Sequence, residues 1–263
     1  MNRLPILIVG LFCWLGAAWL GNPKMGNLQQ WAIVATRPFT LPFLWRSLRQ
    51  AVDSGDPAEA FARAQALLLT LPDWTDGHAV FAWRYAIEGG NPLATGRSRA
   101  AAAKTRLQAA IAMLQAACER TPNKAADLYT WMAFIVELAV QHEPGLAELL
   151  TADAGLGAPA QIADRFLAKA EQQSGRASVR EQRIFLVPQL CAALLQAADR
   201  NGALQVLDAA IGRCAEIRDP QLGQEWLATL QLVRRRLAGD RTVDAATFSD
   251  DQRLQPLLPY LVR

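Results

Sequence analysis

The chain has few of the side chains that usually carry catalysis or bind metals. Only two histidines, His78 and His142, occur in its 263 residues, and neither has a second histidine at metal-ligand spacing. His142 and Glu143 are followed at once by Pro144 and Gly145, which interrupt the helix that an H-E-x-x-H zinc motif requires. We therefore expect no bound metal, no cofactor and no enzymatic activity.

Cysteine is also scarce, and none of the four cysteines lies in a C-x-x-C motif. Cys13 lies in an apolar run near the N-terminus, and the other three lie on predicted helices. Cys191 and Cys214 are offset by about 6 Å along the hairpin predicted to turn near residue 201, and helix axes lie about 8 to 10 Å apart. A disulfide between them is therefore not expected. We interpret Cys118, Cys191 and Cys214 as small buried apolar residues, which leaves the redox compartment open.

The segment GNPLATGRS at residues 90–98 does not meet the requirements of a phosphate-binding loop. Five residues rather than four separate its glycines, arginine replaces lysine, and predicted helices flank it where a strand should precede it. We expect no nucleotide site. The basic residues of this region are predicted to lie in solvent at a helix start or, alternatively, to contact an acidic partner or lipid; they are Arg97, Arg99, Lys104 and Arg106.

Acidic residues are absent from the first fifty positions, which hold five basic side chains: Arg3, Lys24, Arg37, Arg46 and Arg49. Residues 51–263 hold 22 basic and 24 acidic side chains, so the formal net charge of +3 is the sum of +5 and −2. This division favours attraction to anionic lipid head groups over a nucleic-acid surface, and ordinary scatter in charge placement is the alternative.

A single long run without charge lies near the N-terminus, at residues 4–21, LPILIVGLFCWLGAAWLG. As a helix it would be about 27 Å long, close to the roughly 30 Å of a bilayer core. Trp14 and Trp19 suit a membrane helix, with Trp19 near an interface. We predict a single-pass transmembrane anchor in residues 1–22.

Two other interpretations of this run stay open. A cleaved secretory signal would use Gly16, Ala17 and Ala18 as its small-residue cleavage site, and a buried soluble helix is the third possibility. The amino terminus and Arg3 on one side balance Lys24 and Arg37 on the other, so the charge count does not determine on which side of the membrane the rest of the chain lies.

Residues 28–45 are rich in aromatic side chains but hold two prolines and Arg37, which leave too short an apolar run for a second span. We predict a juxtamembrane linker at residues 23–40 in which aromatic rings lie at the head-group boundary and Arg37 reaches phosphate. The alternative is that these rings cover the first helix pair of the following domain. The predicted membrane-contacting residues are Trp14, Trp19, Lys24, Trp31 and Arg37.

The rest of the chain is rich in alanine and leucine and poor in β-branched runs, which predicts an all-α fold. Apolar periodicity and Gly, Pro and Asn breaks divide it into helices. We predict helices near residues 42–53, 57–71, 75–88, 99–120, 124–141, 160–174, 177–199, 202–218 and 220–238, with a short one at 146–150 and a kink at Pro188.

One spacing of small residues recurs. In AIAMLQAACERTP, at residues 110–122, Ala110 and Ala117 allow a neighbouring helix to approach closely, Leu114 fills the gap between them, and Pro122 ends the run. AFARAQALLLTLP, at residues 60–72, repeats this spacing with one alanine and one leucine exchanged. The pattern predicts paired helices.

These runs resemble the second helix of a tetratricopeptide repeat, and the family's first-helix pattern is matched loosely at residues 78–85 and 128–135. The match is degenerate: about sixteen residues are inserted between Tyr85 and Ala110, Met132 replaces a small residue, and Ala215 replaces a proline. The resemblance covers about half the chain and implies a solenoid of antiparallel helical hairpins at residues 41–240, with residues 241–263 as a C-terminal cap.

In that family the first helices line a concave, partner-binding surface. The resemblance therefore implies a protein-binding face, and the residues that match it by spacing are Trp45, Arg49, Trp83, Ile87, Tyr129 and Glu137. The alternative is that Trp83 and Tyr129 belong partly to the core. The sequence predicts a membrane-anchored scaffold or assembly factor, or alternatively an accessory structural subunit of a larger membrane complex. An α-helical enzyme or periplasmic ligand binder is the third and weakest hypothesis.

Overall fold

The described part of the chain is helical. The computed structural model describes residues 28–54, 57–71, 74–88, 96–153 and 155–262. These contain α-helices and short 3₁₀ helices but no strand, which confirms the predicted all-α class for this part of the chain. The predicted anchor at residues 4–21, with Trp14, Trp19 and Lys24 in or beside it, lies outside the described residues. Within the described ranges, no helix is both long and apolar enough to cross a bilayer.

The chain divides into two compact units, residues 1–81 and residues 82–263. The described part of the first begins with α1 (Leu28–Asp53) and α2 (Pro57–Thr70), and α3 (Thr75–Glu88) runs from the first unit into the second. The second unit continues with α4 (Gly96–Arg120), α5 (Ala125–His142), α6 (Gly145–Thr151), α7 (Pro159–Ser174), α8 (Ala177–Phe185), α9 (Val187–Gln196), α10 (Arg200–Arg213), α11 (Pro220–Ala238) and α12 (Leu258–Leu261).

Helix α1 begins well before the predicted start near residue 42, and the linker boundary placed at residue 40 falls inside it. The prediction took the two prolines as interruptions of an apolar run and began the helix near Pro42, but α1 continues through both Pro38 and Pro42. Both prolines lie on the exposed side of α1. The opposite side packs on α2, and this packing holds α1 in its helical form despite the two lost backbone hydrogen bonds.

The core of the first unit is small. Its buried residues on α1 and α2 include Ala51, Ala64, Leu67 and Leu68. Two aromatic contacts add to it: Phe61 meets Phe81 edge to face with ring centroids 5.3 Å apart, and Trp45 meets Trp74 at 5.8 Å. Ala64 and Leu67 belong to the recurring small-residue spacing, so that pattern marks buried positions here as expected.

The run at residues 110–122 forms a hairpin with the helix that follows. Ala110, Leu114 and Ala117 are at most 1% exposed, and Pro122 opens the 3₁₀ turn Pro122–Lys124 between α4 and α5. At the turn, the Cys118 thiol donates to the Ala125 carbonyl. At the other end, Arg99 of α4 pairs with Glu143 after α5 at 2.6 Å. The two helices are therefore antiparallel.

Further antiparallel neighbours follow. Helix α7 packs on α5, where Tyr129 stacks on Phe166, and Asp127 at the start of α5 pairs with Arg176 just after the end of α7. Helix α11 packs on α10, and the Arg200 guanidinium at the start of α10 donates to the Leu237 carbonyl near the end of α11. The pairs α4 and α5, α5 and α7, and α10 and α11 thus each pack side by side.

The predicted helix at residues 177–199 is interrupted at Leu186. Helix α8 ends at Phe185, and α9 begins at Val187 with Pro188 in its first turn, where a missing N–H costs no helical hydrogen bond. The predicted kink at Pro188 is thus confirmed as a break between two helices. The short helix expected at 146–150 is also present as α6.

Two buried clusters fill the second unit. One centres on α4, α5 and α7, and the other on α9, α10 and α11. The C-terminal segment joins the second cluster through Phe248, Leu254, Leu257 and Leu261. The Arg236 guanidinium donates to the Leu261 carbonyl at 2.8 Å, which holds the end of the chain against α11.

A half-buried group of charges joins α7, α8 and α10. Arg183 donates to both Asp164 oxygens, at 2.7 and 3.2 Å, and to Glu171 at 2.7 Å. Glu171 also accepts from Arg213. Burial works to lower the pKa of Arg183, but these hydrogen bonds outweigh it, and the pKa lies above its ordinary value. The guanidinium therefore stays charged and holds the three helices together.

Candidate functional site

Helix α5 is the most enclosed of the long helices in the second unit. It packs on α4 and α7, and eight of its residues are buried, including Leu128, Met132 and Ile135, each with no exposed area. A helix that is apolar around most of its circumference is expected to be buried on all sides. Here one side is not covered by any residue that the structure describes, which makes the side chains on it the strongest functional candidates.

The uncovered side carries an aromatic pair. Trp131 and Phe134 meet edge to face with ring centroids 5.6 Å apart. Trp131 is half-buried against the core, whereas Phe134 is 45% exposed. Leu138, one turn further along, is half-buried. Residues 131, 134 and 138 share one face at helical spacing, so together they form an apolar stripe on the surface.

Glu137 borders this stripe, three residues after Phe134. Its side chain is half-buried, and no hydrogen bond or ion pair reaches its carboxylate from any residue that the structure describes. Burial raises the pKa of Glu137. A carboxylate that has lost part of its hydration without gaining a donor is left in need of one. We name Trp131, Phe134, Glu137 and Leu138 the α5 patch.

Sequence reasoning found only part of this patch. Glu137 was predicted as a partner-binding residue, but Trp131 was included only in the loose first-helix match at residues 128–135, and Phe134 was not singled out. A signal was present in the sequence of α5. Asp127 and Gln141 mark the polar face of this helix, and the positions between them on that face hold the apolar residues Trp131, Phe134 and Leu138.

The predicted binding residue Tyr129 is engaged by the chain itself. Its ring stacks on Phe166 at 6.5 Å, and the Lys169 ammonium lies 5.5 Å from the ring centroid. Burial raises the pKa of Tyr129. Ala133, one turn on, is buried. Tyr129 and Glu137 thus lie on one side of α5, but Tyr129 is largely occupied by α7.

Trp83 and Ile87 of α3 are half-buried and pack against the same cluster as α5. The Trp83 indole nitrogen is buried and has no acceptor among the described residues. Both side chains therefore contribute to the core. In the first unit, Trp45 and Arg49 are exposed on α1. Trp45 is 47% exposed although its ring contacts Trp74.

Two of the predicted membrane-contacting residues lie in described helix. Trp31 belongs to α1. Arg37 is half-buried, and its Nε is enclosed without an acceptor in the described ranges. The exposed side of α1 instead presents Phe39 and Phe43, with Arg46 three residues further along.

The basic start of α4 is used within the chain. Arg99 pairs with Glu143, and Lys104 pairs with Asp153 at 2.7 Å and lies 3.4 Å from the Leu149 carbonyl. The hydrogen bond from Lys104 lowers the pKa of Asp153. Arg99 and Lys104 thus have acidic partners within the second unit. Their arrangement favours a role in helix packing over binding of an acidic partner protein or lipid.

Reactive groups are not gathered elsewhere in the described part of the chain. Cys118, Cys191 and Cys214 are unpaired and buried, and burial raises the pKa of the Cys191 thiol to about 12 and of the Cys118 thiol to about 11. Such thiols have little thiolate at neutral pH, which agrees with their interpretation as small apolar residues. Within the described ranges no group of His, Cys, Asp and Glu residues is arranged to hold a metal ion.

No family model matches the chain, and neither a curated protein nor a solved structure matches it. Its function is therefore argued from its own residues.

Proposed function

We propose that this protein is a membrane-anchored scaffold or assembly factor that binds a protein partner, and that the α5 patch is a principal contact surface. The observation that carries the proposal is the exposed Phe134 on an otherwise enclosed helix, in edge-to-face contact with Trp131 and bordered by Glu137, which has no donor among the described residues. Aromatic side chains at the centre of an interface typically supply most of its binding energy.

The patch also indicates the chemistry of the partner. An apolar segment laid along Trp131, Phe134 and Leu138 would remove their remaining exposed area from water. A lysine or arginine on the same segment would supply the donor that the Glu137 carboxylate lacks. The partner we propose therefore presents a helix or strand with apolar side chains beside a basic one.

The proposal includes a tetratricopeptide-like solenoid, for which antiparallel packing of neighbouring helices is a requirement. Helices α4, α5 and α7 pack as successive antiparallel neighbours, as do α10 and α11. In such an array Trp45, Arg49, Trp83, Ile87 and Tyr129 would extend the binding surface beyond Glu137. Their proposed role rests on spacing, whereas that of Phe134 rests on exposure.

Anchoring is part of the same proposal. The charge-free run at residues 4–21 would hold the protein in the bilayer, and the excess of basic residues in the first fifty positions would favour an anionic membrane face. The helical domain would then act close to the membrane.

The test compares two variants with matched exposure. Phe134→Ala removes the most exposed ring of the patch, and Val80→Ala, at a site 43% exposed on α3, is the control. Proteins that copurify with the full-length chain from mild detergent are quantified by mass spectrometry. We expect a specific partner to be retained by Val80→Ala and weakened about 30-fold by Phe134→Ala, as for a contact of about 2 kcal/mol. Equal recovery with both variants would contradict the proposal.

The alternative is an accessory subunit held in a larger complex by its N-terminal segment. Exposed aromatic residues on α1 favour it, since they follow that segment directly. Deletion of residues 1–27 separates the two functions, because α1 begins at Leu28 and stays whole. Partner binding that survives the deletion favours the α5 patch, and binding that is lost favours the accessory subunit.

A further inference from the structure

The first unit presents an aromatic surface that the protein-binding proposal does not use, although Arg49 at its border belongs to both proposals. Phe39 and Phe43 of α1 are 65% and 73% exposed, the two largest values among the exposed large apolar side chains of the described residues. They are four residues apart, and the exposed Arg46 follows three residues later. The three side chains therefore share one side of the helix. We name Phe39, Phe43 and Arg46 the α1 face.

The α1 face is basic and has no acidic neighbour before the end of the helix. Arg49 is exposed beside it, and Asp53, the last residue of α1, is the first acidic residue of the chain. This distinguishes it from the α5 patch, where an unpaired carboxylate borders the aromatic rings. Exposed rings flanked only by arginine match the composition of surfaces that lie on anionic bilayers.

The length of the chain before α1 agrees with this location. The charge-free run ends at residue 21, and six residues separate it from Leu28. Six extended residues reach at most about 20 Å. If the run spans a bilayer, α1 must begin close to the head groups.

We propose that the α1 face lies on an anionic membrane surface. Phe39 and Phe43 insert between the head groups and the acyl chains, and Arg46 and Arg49 donate hydrogen bonds to lipid phosphates. This assignment replaces Arg37, which is half-buried, with Arg46 as the residue that reaches phosphate. It goes beyond the proposed protein binding, because it gives the first unit a lipid ligand of its own.

The experiment places an environment-sensitive fluorophore on the full-length chain in vesicles. The fluorophore is attached at Phe43→Cys or, as a control, at Val52→Cys. Val52 is also exposed and lies nine residues further along, so it projects about 180° away around the helix. Cys13→Ala is included throughout, and the three buried cysteines, whose burial raises their thiol pKa, are not expected to react.

In vesicles that contain phosphatidylglycerol, we expect the label at position 43 to be blue-shifted and quenched by nitroxide-bearing lipids, and the label at 52 to report water. The double variant Arg46→Glu, Arg49→Glu should move the label at 43 into water, because each basic side chain near an anionic surface contributes about fivefold to binding. Arg46→Lys, Arg49→Lys should preserve the shielding, which separates lost charge from lost fold.

Three results would overturn the proposal: a label at 43 that reports water in anionic vesicles, shielding at 43 that persists in phosphatidylcholine alone, or shielding at 43 without lipid, which would indicate a protein contact. The measurement requires no protein partner. A failure here and a failure of the α5 patch to bind a partner are therefore separate results.

Discussion

Helices α5 and α11 have equivalent interiors but opposite exteriors. Leu128 of α5 and Leu230 of α11 each have no exposed area in their respective clusters. Outside, α11 exposes mostly polar or small residues, among them Gln221, Gln224, Glu225, Ala228, Gln231 and Arg235, whereas α5 exposes, besides Gln141 and His142 at its end, Phe134 beside the half-buried Trp131. The inner faces reflect the need to fold, so the outer faces carry the information about function.

The two helices also differ in how their polar groups are satisfied. The Asp219 carboxylate caps α11 by accepting from the backbone N–H groups of Gln221 and Leu222, and Arg235 pairs with Asp240 at 2.7 Å. The N-cap residue of α5, Lys124, makes no side-chain cap, and Glu137 of α5 has no donor among the described residues. The cap and the outer charge of α11 are thus satisfied within the chain, while α5 leaves an exposed ring and a carboxylate without a counterpart among the described residues.

The largest expected effect is on the free energy of unfolding, and it tests whether the buried faces of α5 and α11 are equally well packed. Leu128→Ala and Leu230→Ala should each lower the free energy of unfolding by about 3 kcal/mol, because each removes a fully buried side chain and leaves a cavity. Urea unfolding of the two variants beside the unaltered protein measures both values. A loss below about 1 kcal/mol in either would show that its helix is not packed as described.

Much of the fold was predictable from local pattern. Alanine and leucine spacing located Ala110, Leu114 and Ala117 at buried positions, and most helix limits fall within a few residues of those expected. The break before Pro188 was predictable because proline removes a donor and fixes a dihedral. These features depend on neighbours within one or two helical turns.

Other features depend on contacts distant in sequence. The start of α1 was misplaced because packing on α2 outweighs two prolines, and no local rule gives that balance. Phe134 was missed because period alone does not reveal which side of an apolar helix its neighbours cover. Lys104 was predicted to lie in solvent or meet an outside acid, but Asp153, 49 residues on, is its partner.

The second prediction concerns the pH dependence of stability that the Glu137 carboxylate of α5 should cause. Burial raises the pKa of Glu137 above its ordinary value of 4.5, so protonated Glu137 contributes stability that is fully present below pH 4.5 and is lost as the pH rises through the folded-state pKa. The Gln side chain of the variant Glu137→Gln does not ionise, so its contribution to stability does not change with pH. We expect the variant to be more stable than the unaltered protein at neutral pH and the difference to vanish at low pH.

Unfolding free energies measured across this pH range provide the test, with Gln141→Asn, a neutral exposed substitution on the same helix, as the control. A difference that is independent of pH would mean that Glu137 is compensated in the folded protein. The contrast with α11 would then rest on Phe134 and Trp131 alone.

The smallest expected effect concerns the ion pair at the start of α5. Asp127 pairs with Arg176, but the two side chains are 38% and 53% exposed, and solvent-exposed pairs typically contribute about 0 to 1 kcal/mol. A double-mutant cycle with Asp127→Asn and Arg176→Met should therefore give a coupling energy below about 1 kcal/mol, with Asp127→Asn alone also weakening the favourable interaction with the N-terminal helix dipole. A coupling energy above about 1 kcal/mol would mean that the Asp127–Arg176 pair holds the end of α7 against the start of α5. The outer side of α5 would then have a structural role. A small coupling leaves its apolar stripe without a structural explanation inside the described chain, as expected if a partner covers it.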